Sequence, residues 1–170
     1  DNFDNVCVSF SGGKDSTVML HLAMEEAIKR GRKVQLLFID LEAQYRLTID
    51  HIQLCYDMYA DHIEPYWVCL PLNLRNAVSV YEPQWRCWEP GREKDWVRSP
   101  PEIAITDPKI FPFFKKGMEF EDFVPEFAKW ISKKDYNGTG AGKMTAQLVG
   151  IRSQESLNRF RSIASERKRK

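Results

Sequence analysis

The stretch "VCVSFSGGKDSTVMLHLA", residues 6–23, sets two glycines and a lysine between an apolar, β-branched run and an amphipathic one. Residues 5–10 (NVCVSF) read as a buried strand. From Ser16 to Arg30 the apolar residues Val18, Met19, Leu22, Ala23 and Ala27 recur at helical spacing, with Asp15 or Ser16 available as a cap and Gly31 just past the end. The turn Ser11-Gly12-Gly13-Lys14-Asp15-Ser16 therefore leaves a strand and opens a helix. At such a junction the N–H groups of the first helical turn converge without intrahelical partners, at the positive end of the helix dipole. Glycines allow backbone angles and close approaches that a Cβ forbids. Ser11 and Ser16 add hydroxyls and Lys14 adds a charge, so the turn suits a phosphate or pyrophosphate. It has neither the GxxxxGK[ST] spacing nor the GxGxxG spacing of two better-known phosphate turns.

Working outward, residues 33–40 (KVQLLFID) form a second apolar run that closes on Asp40. Residues 46–59 read as helix, 66–72 (YWVCLPL) as a third strand, 120–134 as an amphipathic helix, 145–151 (TAQLVGI) as a fourth strand and 154 onward as a last helix. Strands apolar throughout and alternating with helices predict an α/β fold with a doubly wound, mostly parallel sheet, whose ligands sit at the carboxyl ends of the strands. Residues 73–117 break the pattern. Six of nine prolines lie between Pro83 and Pro112, interleaved with Trp85, Trp88 and Trp96. That composition is too aromatic for a disordered linker and predicts an ordered, irregular insertion or lid beside the site, with short helical turns at most. The segment 137–143 (NGTGAGK) reads as a flexible connection.

With 170 residues and 43% apolar content, a single domain with a proper core is expected. The formal charge of +1 shows no global bias toward nucleic acid or membrane, although residues 150–170 are locally basic. Cys7, Cys55, Cys69 and Cys87 form no CxxC pair, which predicts reduced thiols in a cytoplasmic protein and neither a zinc site nor an iron–sulfur cluster. His21, His51 and His62 have no metal-ligand spacing. No apolar run reaches membrane-spanning length. The absence of an initiator Met and the abrupt ending "SIASERKRK" predict a fragment of a longer protein.

SGGKDS on the first strand–helix turn resembles the PP-loop of the N-type ATP pyrophosphatase and sulfonucleotide reductase superfamily, the adenine nucleotide alpha hydrolase-like fold. A second element, "GIRSQES" at residues 150–156, is similar to the Gly-[Ile/Val]-Arg-x-x-Glu-Ser motif of 3′-phosphoadenylylsulfate (PAPS) reductase relatives. "NAVSVYEPQWRCWEP", "DWVR" and "ESLNRFRSI" look most like the immunoglobulin-binding regulator A type branch. The resemblance implies that Ser11, Gly12, Gly13, Lys14, Asp15 and Ser16 hold the phosphates of ATP or PAPS, with Lys14, Asp15 and Arg152 in catalytic positions. It places Asp40 near the adenosine, through ribose or a metal-bound water, or else as a turn cap. Gly150, Glu155 and Ser156 would shape the turn from which Arg152 reaches an anionic group, and Arg159 and Arg161 would extend its basic side toward a sulfate or 3′-phosphate.

The reductases of that family use a cysteine within Glu-Cys-Gly-[Ile/Leu]-His, a motif not found among these residues. A thiolate must attack the sulfonate sulfur, so no other side chain substitutes well. Three readings stay open: an oxidoreductase of the PAPS reductase kind, an ATP pyrophosphatase or adenylyl transferase using magnesium and acting on a nucleic acid or other anionic acceptor, and a non-catalytic, nucleotide-responsive regulator that binds a protein partner.

Overall fold

The structure, a computed structural model, describes residues 3–76, 80–134 and 144–151. The apolar run after Asp4 forms β1 (Asn5–Ser9), followed by α1 (Lys14–Lys29), β2 (Val34–Ile39), α2 (Arg46–Met58) and β3 (Ile63–Val68). Short strands β4 (Asn73–Arg75) and β5 (Gln84–Arg86) come next, then α3 (Phe120–Ile131) and β6 (Thr145–Val149). Four strands make one sheet in the order β3-β2-β1-β6, with every neighbouring pair parallel. Registry is direct: Cys7 lies beside Gln35 on one side and Gln147 on the other. The expected α/β architecture with a mostly parallel sheet is the one observed.

Helices cover both faces, which is why β2 reads as nearly continuous apolar sequence. Adjacent β3 residues show the two layers, because neighbouring strand side chains point to opposite faces. Trp67 packs its ring 5.4 Å from Tyr56 of α2, whereas Tyr66 meets Phe127 of α3 edge-on at 4.9 Å. The chain crosses from β3 at one edge to β6 beyond β1, through the insertion and α3. Phe111 of the insertion is buried and packs on Phe123 and Trp130 of α3, so the aromatic residues of this crossover form one core with the sheet.

Three local expectations need correction. Helix α1 starts at Lys14 with Gly13 as N-cap, and neither Asp15 nor Ser16 caps it. Ser16 instead turns its hydroxyl back to the Gly13 carbonyl at 2.9 Å. The far end of α1 ends as expected: Gly31 adopts φ 60°, and Arg32 and Gly31 donate to the carbonyls of Ala27 and Ile28, a Schellman closure. Strand β3 spans Ile63–Val68 rather than 66–72, because its register is set by six pairings with β2. Leu70 and Leu72 are fully buried although they lie beyond the end of the strand. The insertion also holds more than helical turns, since β4 and β5 pair antiparallel with Leu74 opposite Trp85. Strands of three residues carry too little alternation to be seen in sequence. The connection 137–143 and the last helix lie outside the described residues.

All four cysteines are buried. Burial pushes the thiols of Cys7 and Cys87 up to about 12, and that of Cys69 higher still. In the unfolded chain a thiol ionises near ~8.5. Above that pH the unfolded state binds fewer protons than the folded one, so stability falls as pH rises toward the folded value. The expected slope approaches ~1.4 kcal/mol per pH unit for each such thiol. Urea unfolding between about pH 7.5 and 10 checks this, and the slope should be shallower in Cys87→Ala.

Candidate functional site

The carboxyl ends of β1 and β6 meet where the chain reverses its direction of travel across the sheet, because α1 carries it from β1 toward β2 while β6 lies on the other flank. Such a switch point leaves a crevice at the strand ends. Here it is a cleft of about 360 Å³. Ser11 and Ser16 lie on one wall, Val149, Gly150 and Ile151 on another, and Phe120 and Val124 of α3 close the side. Apart from the serine hydroxyls and Gln44, the lining side chains are apolar.

The glycine-rich turn is internally braced. The Ser16 hydroxyl donates to the Gly13 carbonyl, receives the Ser11 N–H at 3.3 Å, and lies 3.0 Å from the Ser11 hydroxyl. Thr17 also donates to the Gly13 carbonyl and sits 2.9 Å from His51 Nε2 of α2. Ser16 is buried and holds the turn, whereas Ser11, Gly13 and Lys14 are exposed on its outer side. The first-turn N–H groups of Lys14, Asp15 and Ser16 precede any i−4 carbonyl of their own helix. No side-chain cap occupies this end, and the positive end of a helix dipole with its N–H groups is the kind of place where anions bind.

The two glycines of the turn do different work. Gly12 adopts φ 72°, and a methyl there would sit 2.9 Å from the Ile52 side chain and 3.0 Å from Thr48. Gly13 is extended, and a methyl would meet only Ser11 Oγ at 3.4 Å. Gly150, from the second sequence element, lies directly against the turn. A methyl on it would approach the Ser16 amide nitrogen to 3.0 Å and the Asp15 carbonyl carbon to 3.2 Å. The structure thus brings the first residue of the second element against the turn, although the two lie far apart in sequence. Arg152, Glu155, Ser156, Arg159 and Arg161 lie outside the described residues.

Asp40, at the end of β2, is fully buried. Arg98 Nη2 reaches its two carboxylate oxygens at 2.5 and 2.6 Å, Trp67 Nε1 donates to Oδ2 at 2.8 Å, and the Glu42 amide donates to Oδ1 at 2.9 Å. Its carboxylate therefore faces the insertion and the core through four protein contacts. Glu42 ties the same junction from the other direction, accepting the backbone N–H groups of Trp88 and Val97. Trp88 Nε1 donates to the Asp40 carbonyl at 2.6 Å, and the Arg98 guanidinium lies 5.1 Å over the Trp88 ring. Glu42 and Trp88 are the non-glycine residues with positive φ among those described, at 68° and 49°. This knot holds the 40–44 segment, whose Leu41 and Gln44 line the cleft.

Sequence reasoning set Trp88 in the aromatic insertion beside the site but assigned no part to Arg98 or Trp67. The available signal was Arg98 within "DWVR", a cation closing an aromatic segment, but nothing local names its partner 58 residues away. Among the described residues no group of three His, Cys, Asp or Glu side chains is placed to hold a metal ion, and no helix is long and apolar enough to cross a membrane.

Two outcomes follow for variants. Gly12→Ala should destabilise the fold by about 1–3 kcal/mol, through its positive φ and the Ile52 clash, while Gly13→Ala stays within about 0.5 kcal/mol. Arg98→Ala leaves a buried carboxylate without its cation and should cost about 3–5 kcal/mol. Urea midpoints of the variants against the parent chain measure both.

The phosphoadenosine phosphosulfate reductase domain matches residues 5–92, from β1 through the glycine-rich turn into the insertion. The uncharacterized protein YbdN of Escherichia coli (strain K12) is 52% identical over 166 residues, covering 97% of this chain and 38% of that protein. The chain thus spans well under half the length of this curated relative. No solved structure matches it. With the family's domain laid over the strand, turn and helix that build the cleft, the chain belongs to the phosphoadenosine phosphosulfate reductase domain family.

Proposed function

We propose that this domain binds an adenine nucleotide, with its phosphates on residues 11–16 and its nucleoside in the apolar cleft beside them. The observation that carries this reading is the contact of Gly150 with the backbone of Asp15 and Ser16. It sets the start of the second element, residues 150–151, beside the glycine-rich turn at the switch point of the sheet. Lys14 supplies an exposed cation on the turn, and Ser11 a hydroxyl. The cleft's apolar walls suit a base and ribose better than a second charged group.

The chemistry favoured is cleavage at the α-phosphate of ATP, with the turn holding the departing pyrophosphate and magnesium arriving with the nucleotide. Sulfonate reduction requires an accessible thiolate. Cys87, the one cysteine outside the expected strands and helices, is fully buried with its thiol directed to the carbonyls of Leu70 and Leu72. Burial also holds Cys7 and Cys69 in the thiol form. These three thiols are not prepared for nucleophilic attack, and the Cys55 thiol, 3.8 Å from His51 Nε2, is likewise pushed up by burial.

Calorimetry with ATP–Mg²⁺ and with PAPS, run beside assays for pyrophosphate and sulfite, tests the proposal. Saturable binding lost by tenfold or more in Lys14→Ala, with pyrophosphate released in the presence of an acceptor, is the expected result. Sulfite release from PAPS would overturn the α-phosphate assignment. Absence of binding by either nucleotide at millimolar concentration would overturn the site itself.

A further inference from the structure

Helix α2 lays one face against the glycine-rich turn and the start of α1. Thr48, His51, Ile52 and Cys55 recur on α2 at the spacing of such a face. Ile52 and Thr48 occupy the space that a Cβ on Gly12 would need. His51 adds a polar contact: its Nε2 lies 2.9 Å from Thr17 Oγ1 of α1 and 3.8 Å from Cys55 Sγ. Phe10, just past the end of β1, backs the imidazole with ring centroids 6.1 Å apart. The ring is therefore held by β1, α1 and α2 together, and the nucleotide reading gives it no part.

One proton sets the direction of the His51 contact. Thr17 has a single hydroxyl hydrogen and two partners at 2.9 Å, the Gly13 carbonyl and His51 Nε2. With that hydrogen on the Gly13 carbonyl, the Thr17 oxygen meets Nε2 as an acceptor, so Nε2 carries a proton. The Gly13 carbonyl then receives three donors, each at 2.9 Å: the Thr17 N–H, the Ser16 hydroxyl and the Thr17 hydroxyl. The Gly13–Lys14 peptide is trans, and in a trans peptide the C=O and the N–H point in opposite directions. A Gly13 carbonyl drawn into the helix turns the Lys14 N–H outward, to the end where an anion binds.

We propose that His51 is a positioning residue for this turn. Its Nε2–H holds the Thr17 hydroxyl on the Gly13 carbonyl, and the fixed peptide aims the Lys14 N–H at a phosphate of the ligand. The ligand in this statement rests on the nucleotide reading, whereas the tautomer does not.

Long-range ¹H–¹⁵N spectra of the whole chain without nucleotide should show neutral His51 as the Nε2–H tautomer. Calorimetry with ATP–Mg²⁺ then tests the consequence. His51→Leu should weaken binding about fivefold, the scale of one neutral hydrogen bond. His51→Gln, whose side-chain amide carries an N–H donor of similar reach, should recover most of that loss. Thr17→Val, at a half-buried position, should weaken binding by a similar factor and keeps the test open should His51→Leu fail to fold. The two losses should not add in the double variant, because both break one chain of bonds. An Nδ1–H tautomer, parental affinity in a folded His51→Leu or Thr17→Val chain, no recovery in His51→Gln, or additive losses would each overturn the inference. A parent chain that binds no ATP overturns the nucleotide reading and this inference with it; binding by the parent with no change in the variants overturns this inference alone.

Discussion

A carboxylate with no exposed surface needs its charge answered from within the protein, and Asp40 is answered by Arg98 from the insertion. Isolated, such a charge costs several kcal/mol in desolvation. The pair is therefore a condition on the whole arrangement: wherever β2 ends, the insertion must return so that residue 98 arrives beside it. Trp67 and the Glu42 amide complete the carboxylate's partners, so β3 and the loop after β2 are drawn into the same junction. Glu42 then reaches back to the amides of Trp88 and Val97. The insertion is fastened to the sheet by polar bonds that allow little play.

This fastening explains where strain is tolerated. Positive φ at a glutamate and a tryptophan costs of order 1–3 kcal/mol each and persists only when surrounding bonds over-determine the backbone. Both residues lie in the Asp40–Arg98 junction and bond to each other. Residues 40–44 thus border two cavities, Leu41 and Gln44 the apolar cleft and Glu42 a second one. One side is apolar and adjoins a turn rich in N–H donors; the other is lined with carboxylates and indoles.

Much of the sheet and the glycine-rich turn was legible from residues alone. Apolar runs of strand length alternating with helical spacing imply a parallel sheet, since only strands covered on both faces can be apolar throughout. The order Ser-Gly-Gly-Lys-Asp-Ser at a strand–helix junction pointed to the turn, because backbone donors and glycine geometry are local properties. The end of β3 was misjudged at Cys69–Leu72, where burial by the insertion mimics the apolar signature of a strand. The hairpin of β4 and β5 escaped notice because three-residue strands owe their pairing to tertiary position rather than to alternation.

Asp40 marks the boundary between the two kinds of information. Its place at the close of an apolar run made it a candidate ligand-facing residue, and that place is correct. Which way its carboxylate points depends on a guanidinium 58 residues later, and no local pattern encodes that meeting. Gly150 is the converse case. Its motif was visible in the sequence, but its closeness to the Ser16 backbone arises from β1 and β6 pairing in register across most of the chain. Sequence alone determined the fold class and the donor-rich turn, because periodicity and helix-end chemistry are short-range. Tertiary structure alone decided which groups face a ligand and which face each other, because burial and charge pairing act between segments that only folding brings together.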